Sequence, residues 1–171
     1  MSYVLIVGAK SDIAKATARE YARHGYDLYL AARKSSELHD FVNDVTASTQ
    51  RNIKLVELDI LNYKSHQEFY QSLEEKPLGV ISAVGYLGDQ KKAQTDSIEA
   101  QKIIDTNYTG VVNLFNIIAN DFEHRRSGFL VGISSVGGDR GRKNNYIYGS
   151  SKAAFTAYLS GLRNRLYDSN V

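Results

Sequence analysis

Residues 3–14 read Tyr3-Val4-Leu5-Ile6-Val7-Gly8-Ala9-Lys10-Ser11-Asp12-Ile13-Ala14. The first five form a continuous apolar run, the pattern of a strand buried on both faces of a sheet. The run breaks at Gly8. From Ile13 apolar residues recur at helical spacing through Ala14, Ala18, Tyr21 and Ala22, and His24-Gly25 ends that helix as a glycine C-terminus does. A doubly buried strand, a glycine turn and a helix make the first half of a parallel βαβ unit.

The pattern repeats downstream. Asp27 to Ala32 reads as a second strand, with a helix from about Ser36 to Val45. Ile53 to Leu58 reads as a third strand closed by Asp59, and Ser65 to Leu73 as a helix. Gly79 to Val84 reads as a fourth strand, just after the only proline, Pro77. One long helix is predicted from about Ser97 to Phe122, because Ile104, Tyr108, Val111, Phe115, Ile118 and Phe122 stand three or four apart. Phe129 to Ser134 is the fifth strand. A last helix from Tyr148 to about Leu166 carries Phe155, Leu159, Leu162 and Leu166 on one stripe. Strict alternation predicts an α/β, Rossmann-type, doubly wound parallel sheet with helices on both faces and right-handed crossovers, one domain over residues 1–171. Ligands in such sheets bind beyond the carboxyl ends of the strands, where the strand order reverses. Gly8, Asp59, Gly85 and Ser135 all fall at those ends, which indicates one site.

Composition narrows the function. The 171 residues carry a net charge of +2, with 43% hydrophobic and 23% charged residues, an ordinary globular balance. No dense basic run supports nucleic-acid binding. The apolar stretches are strand-length, too short to span a bilayer, and Met1 leads straight into the first strand without a signal-peptide pattern. The chain has no Cys, and His24, His39, His66 and His124 lack ligand spacing, so no metal site is expected. A cytoplasmic enzyme acting on a small molecule is the expectation.

Gly8 lets the backbone approach a pyrophosphate, which the helix N-terminus beyond it favours electrostatically. Ser11, Asp12 and Ile13 open that helix. Asp12 and Ala14 stand where the usual second and third glycines would be, and Asp12 is a candidate helix cap. At the end of the second strand, an acidic residue would hold the ribose hydroxyls of NAD. Here Ala32 is followed by Arg33, a phosphate-pairing cation, with Lys10 as a second cation nearby. The expected cofactor is NADP rather than NAD.

Ser135 ends the fifth strand, and the last helix opens with Tyr148-Gly149-Ser150-Ser151-Lys152. Tyr148 and Lys152, four apart, share one helix face. A loop could bring the Ser135 hydroxyl to the Tyr148 phenol, a site for handling one proton beside a carbonyl. The Tyr-x-x-x-Lys spacing alone arises by chance about 0.8 times in such a composition, so the rest of the chain has to support it.

Taken together, these residues resemble the short-chain dehydrogenase/reductase family of the single-domain type. Its features recur in order: the Gly8 turn, Asp59, Gly85, Asn107 in the long helix, Ser135, and then Tyr148 with Lys152. The resemblance implies a carbonyl reductase in which Tyr148 is the proton donor and Ser135 binds the substrate oxygen. Lys152 would hold the nicotinamide ribose, and its charge would favour the Tyr148 phenolate. Asn107 would hold a water linking Lys152 to solvent. Asp59 and Ile60 would contact the adenine, and Ala83, Val84 and Gly85 its ribose. Where the family carries Asn-Asn-Ala-Gly, this chain has Ser82-Ala83-Val84-Gly85. A narrower likeness, in residues 85–89, 106–109 and 138–148, is to the branch containing decaprenylphosphoryl-2-keto-ribose reductase. It implies a keto-sugar or similar polar ketone, with Arg140 and Arg142 beside the cleft. The resemblance also implies a homodimer or homotetramer through the last two long helices. It implies further strands and a substrate-covering lid that this sequence does not contain. The alternative is a non-catalytic, NADP-binding regulatory protein on the same fold.

Overall fold

The computed structural model describes residues 2–171. Its strands are β1 (Tyr3–Val7), β2 (Asp27–Ala32), β3 (Ile53–Glu57), β4 (Gly79–Ser82) and β5 (Phe129–Gly132). They form one fully parallel sheet in the order β3-β2-β1-β4-β5. The helices are α1 (Asp12–Arg23), α2 (His39–Thr49), α3 (His66–Ser72), α4 (Gln90–Ala93), α5 (Ser97–Ile104), α6 (Gly110–Arg125) and α7 (Tyr146–Leu166). The order reverses between β1 and β4, which start on neighbouring tracks and send their crossovers to opposite sides. This is the doubly wound fold expected from the alternation.

Period two in β1 sorts its side chains between two cores. Leu5 and Val7 join Tyr29, Val80, Leu114, Phe115, Ile118, Phe122, Phe155 and Leu162, under α6 and α7. Val4 and Ile6 join Leu28, Leu30 and Ile81 under α1 and α2. On that side α1 presents Ala14, Ala18 and Ala22, whose small side chains let the helix lie close to the strands. No helix among the described residues is long and apolar enough to cross a membrane.

Several boundaries differ from the sequence expectation. β4 and β5 end at Ser82 and Gly132, two residues early, and their tails peel away to line the site. The helix expected from Ser36 is a short 3-10 turn (Ser35–Leu38) running into α2. The last helix starts at Tyr146 rather than Tyr148, and α4 was not expected at all. The predicted helix from Ser97 to Phe122 is really two, α5 and α6, joined by a widened π turn at Asp105–Thr109. Periodicity cannot register one extra residue in a turn, because the apolar stripe on either side is almost unchanged. Asp12 is not the cap of α1 either. Ser11 is, its Oγ accepting from Ala14 N at 3.2 Å.

Candidate active site

A cleft of about 290 Å³ lies at the carboxyl ends of β1, β2 and β4. Gly8, Lys10, Ser11, Arg33, Asp59, Ile60, Ala83, Val84 and Gly85 line it, together with Tyr86, Lys102 and Thr106. Gly8 needs to be glycine twice over. Its φ is +80°, and a Cβ there would stand 2.9 Å from Ala83 C and Val84 N. The turn therefore sits directly against the exit of β4. Asp12 and Ile13 do not line the cleft, and both side chains are exposed. What those two positions offer is their backbone N–H groups, in the first turn of α1, where no intrahelical acceptor exists.

The cations divide. Lys10, expected to stand beside Arg33 as a second phosphate-binding charge, instead pairs with Glu37 and reaches the Arg33 carbonyl at 3.4 Å. Arg33 is exposed and forms no ion pair among the described residues. The turn that carries it is held from β3: Glu57 accepts from Lys34 N at 2.7 Å and from Ser35 N at 2.9 Å. Those two N–H groups hold the Glu57 carboxyl below its ordinary pKa. Glu57 went unnoticed in the sequence because only the parallel register, which sets it opposite Ala32, brings it there. Asp59 Oδ1 accepts from Leu61 N at 3.0 Å and so shapes its own turn.

Asn107 lies fully buried in the π turn. Its Nδ2 donates to Ile103 O at 2.8 Å and to Tyr86 O at 2.6 Å, while Oδ1 accepts from Tyr86 N at 3.1 Å. The widened turn shifts backbone partners from i−4 to i−5. The Asn107 amide bonds Ile103 O from within that turn. The amide sits inside the distortion and also pins the loop after β4. Both Nδ2 hydrogens are used within the protein, so a water held by the Asn107 side chain would have to donate to Oδ1.

Lys152 is 3% exposed. Its Nζ donates to Val84 O at 3.1 Å and Ile133 O at 3.2 Å, the peeled ends of β4 and β5. No carboxylate among the described residues pairs with it, and burial lowers its pKa. Its Nζ lies 6.0 Å from the centre of the half-buried Tyr148 ring. Ser134, beside Ser135, ties this corner together by donating to Lys152 O at 3.1 Å.

The Ser135 hydroxyl accepts from Gly137 N at 3.1 Å and does not bond the Tyr148 phenol. The two nevertheless meet at one place. A Cβ on Gly137 would stand 3.3 Å from Ser135 Oγ and 3.6 Å from Tyr148 Cε1. Close backbone contact between the 136–138 turn and α7 makes this possible, since a Cβ on Gly149 would meet Gly137 O at 2.5 Å. Gly149→Ala is therefore expected to destabilise the fold by roughly 1–3 kcal/mol through overpacking, read by chemical unfolding, and to push the Ser135 turn off α7. Wild-type stability in that variant would mean the turn yields freely. Val84 and Tyr86 join this corner to the cleft, for both line it and bond Lys152 and Asn107 respectively.

A parallel sheet with a cleft at its switch point, and a Ser-Tyr-Lys corner beside it, defines a Rossmann-type α/β protein. The model of the short chain dehydrogenase family matches residues 2–171, and the chain belongs to that family. An uncharacterized oxidoreductase of Mycobacterium tuberculosis is 36% identical over 171 residues, 98% of this chain and 68% of the relative. A Schizosaccharomyces pombe NADP-dependent 3-hydroxy acid dehydrogenase is 26% identical, over 98% of this chain and 67% of that protein. Among solved structures, a short-chain dehydrogenase from Sphingobium yanoikuyae in complex with NADPH superimposes with a TM-score of 0.90. It is 24% identical and is matched over 99% of this chain and 67% of its own, a likeness of fold.

Proposed function

We propose that this chain is the cofactor-binding and catalytic part of an NADPH-preferring carbonyl reductase that converts a ketone to a secondary alcohol. The observation that carries the reading is Lys152, a buried ammonium with carbonyl partners only. It stands between the cleft and a half-buried tyrosine whose phenol is held by no group among the described residues. A purely structural lysine in that position gains little, because a carboxylate-free burial disfavours its charge.

The cleft fits a dinucleotide. Gly8 gives close backbone approach, the first-turn amides of α1 face a phosphate favourably, and Arg33 is free to meet a 2′-phosphate. Bound NADPH would supply a hydride to the carbonyl carbon. The chain's own groups do the rest. The Tyr148 hydroxyl gives its proton to the carbonyl oxygen as charge develops there, and the Ser135 hydroxyl, which has a hydrogen to spare, donates a hydrogen bond to the same oxygen. Lys152, whose Nζ stands on the Val84 and Ile133 carbonyls, would hold the ribose hydroxyls, and Asn107 keeps the loop after β4 in register with α7. Asp59, Ile60 and the Ala83–Gly85 segment receive the adenosine half. The NADP preference is supported by Arg33, by the S. pombe relative and by the S. yanoikuyae complex. A keto-sugar or similarly polar ketone is the first substrate class to try, and assembly through α6 and α7 belongs to the same reading.

The test is oxidation of NADPH and NADH across a panel of ketones and keto-sugars, with Arg33→Ala alongside wild type. Turnover with NADPH is expected. Arg33→Ala should weaken NADPH about tenfold, the loss of one charge-assisted hydrogen bond, and leave NADH unchanged. Tight NADPH binding with no turnover would instead favour a regulatory protein, and equal use of the two cofactors would remove Arg33 from its role.

A further inference from the structure

The start of α7 is capped in an unusual way. Asn145 stands at its N-cap, yet the Asn145 side chain makes no capping bond. A helix start leaves four N–H groups without intrahelical partners, and an N-cap side chain normally accepts from one of them. Here the acceptor comes from another element. Gln90, the first residue of α4, takes the Ile147 N–H on its Oε1 at 3.1 Å. With Oε1 committed, Gln90 Nε2 is a buried donor without a partner, and Asn145 Oδ1 is a buried acceptor without one. The two unmatched atoms belong to side chains at the same helix end, and their chemistry is complementary.

α4 has a firm base from which to do this. Asp89 Oδ1 caps it by accepting from Lys91 N and Lys92 N. Asp89 N in turn donates to the buried Glu99 carboxylate at 3.1 Å, which also accepts from Tyr86 OH at 2.8 Å. Tyr86 is the residue that Asn107 grips through its backbone. Hydrogen bonds therefore run from the π turn through Tyr86 and Glu99 to Asp89, and Asp89's covalent neighbour Gln90 bonds Ile147, the neighbour of Tyr148. On its other side Asn145 faces the catalytic corner. Its Nδ2 would lie 3.7 Å from a Cβ on Gly137, the point shared with Ser135 Oγ and the Tyr148 ring.

We infer that Gln90 is the positioning residue for Tyr148, a clamp whose first prong caps Ile147 through Oε1 and whose second, the unpartnered Nε2–H, is the donor available to the equally unpartnered Asn145 Oδ1. The phenol makes no hydrogen bond to the described residues, so its place depends on the helix frame, and the frame's first turn depends on Gln90. The clamp joins the loop lining the cofactor cleft to the residue that gives the proton, and a filled cleft would thereby align Tyr148. The catalytic consequence rests on the reductase reading, but the clamp itself is testable without it.

The test uses the full-length protein with Gln90→Leu, which removes both prongs at similar size, and Gln90→Glu, which keeps the acceptor and loses the donor. Three readouts are taken: hydrogen exchange at the Ile147 amide, the fluorine NMR signal of Tyr148 in fluorotyrosine-labelled protein (assigned by its absence in Tyr148→Phe), and steady-state kinetics. In Gln90→Leu, Ile147 exchange should rise on the order of tenfold and the Tyr148 signal should broaden or split. Its kcat should fall roughly 10–100-fold, as for a misplaced reacting group, with NADPH affinity within about twofold. Gln90→Glu should protect Ile147 as wild type does and show an intermediate kcat. Unchanged exchange or an unchanged Tyr148 signal in Gln90→Leu would overturn the clamp. A wild-type kcat despite both changes would overturn its positioning role. If both spectroscopic changes appear in a protein that reduces no ketone, the clamp stands and the reductase reading fails.

Discussion

Tyr148→Phe is expected to lower kcat for ketone reduction by roughly 10²–10⁴-fold, the usual worth of a positioned proton donor, with NADPH affinity unchanged. The substitution is a clean one here. The phenol oxygen makes no hydrogen bond to the described residues, so its removal orphans no partner, and the half-buried ring keeps its place beside the Gly137 turn. The melting temperature should therefore match wild type within about 2 °C, because surface-type changes that break no contact rarely exceed about 0.5 kcal/mol. Stopped-flow absorbance at the NADPH band, under single-turnover conditions, separates chemistry from release. Turnover equal to wild type would take the proton-donor role from Tyr148 and leave the Ser135 hydroxyl as the remaining protic group at the corner.

Lys152→Met is the second large effect, and it separates activity from stability. Loss of the ammonium should reduce kcat on the order of 10²–10³-fold, since a fixed charge beside the reacting groups is removed, and NADPH binding should weaken as well. Stability should not fall with it. The ammonium is buried without a carboxylate, and methionine fills a similar volume with no charge to desolvate. The pH dependence has a definite sign. Burial holds the folded-state pKa of Lys152 below its ordinary value of 10.5, so between those two values the unfolded chain binds more protons than the folded one. Wild-type stability gains from this group as pH rises through that alkaline window, and the full burial penalty is present below it. Thermal unfolding of the pair from pH 7 to 10.5 should show the variant at its greatest relative advantage near neutrality, with the gap narrowing toward pH 10.5. A methionine variant that melts far below wild type at pH 7 would show that the bonds to Val84 O and Ile133 O outweigh the burial penalty.

Much of the fold was readable because buried parallel strands are nearly all apolar. β1 and β2 match their expected spans residue for residue, and they carry the two cores. The candidate site was readable in part for the same reason. Strand ends are where ligands bind in such sheets, so Gly8, Asp59, Gly85 and Ser135 could be placed from the alternation alone. Residues whose partners are distant in sequence were less legible. Lys10 looked available to a phosphate until Glu37, 27 positions away, paired with it. Glu57, Glu99 and Gln90 carry no local signature. Each acts on a turn or helix end that lies beside it only in three dimensions.

From the residues themselves came the parallel α/β architecture and the placing of Gly8, Asp59, Gly85 and Ser135 near strand ends, because strand burial and helix periodicity are local properties of the chain. Tertiary structure alone decided the π turn at Asn107, the carbonyl cage around Lys152 and the capping of α7 by Gln90. Each of these depends on a backbone N–H or C=O left over where an element ends or widens. Which side chain satisfies such a group is settled by packing between elements, and no spacing within the sequence records it.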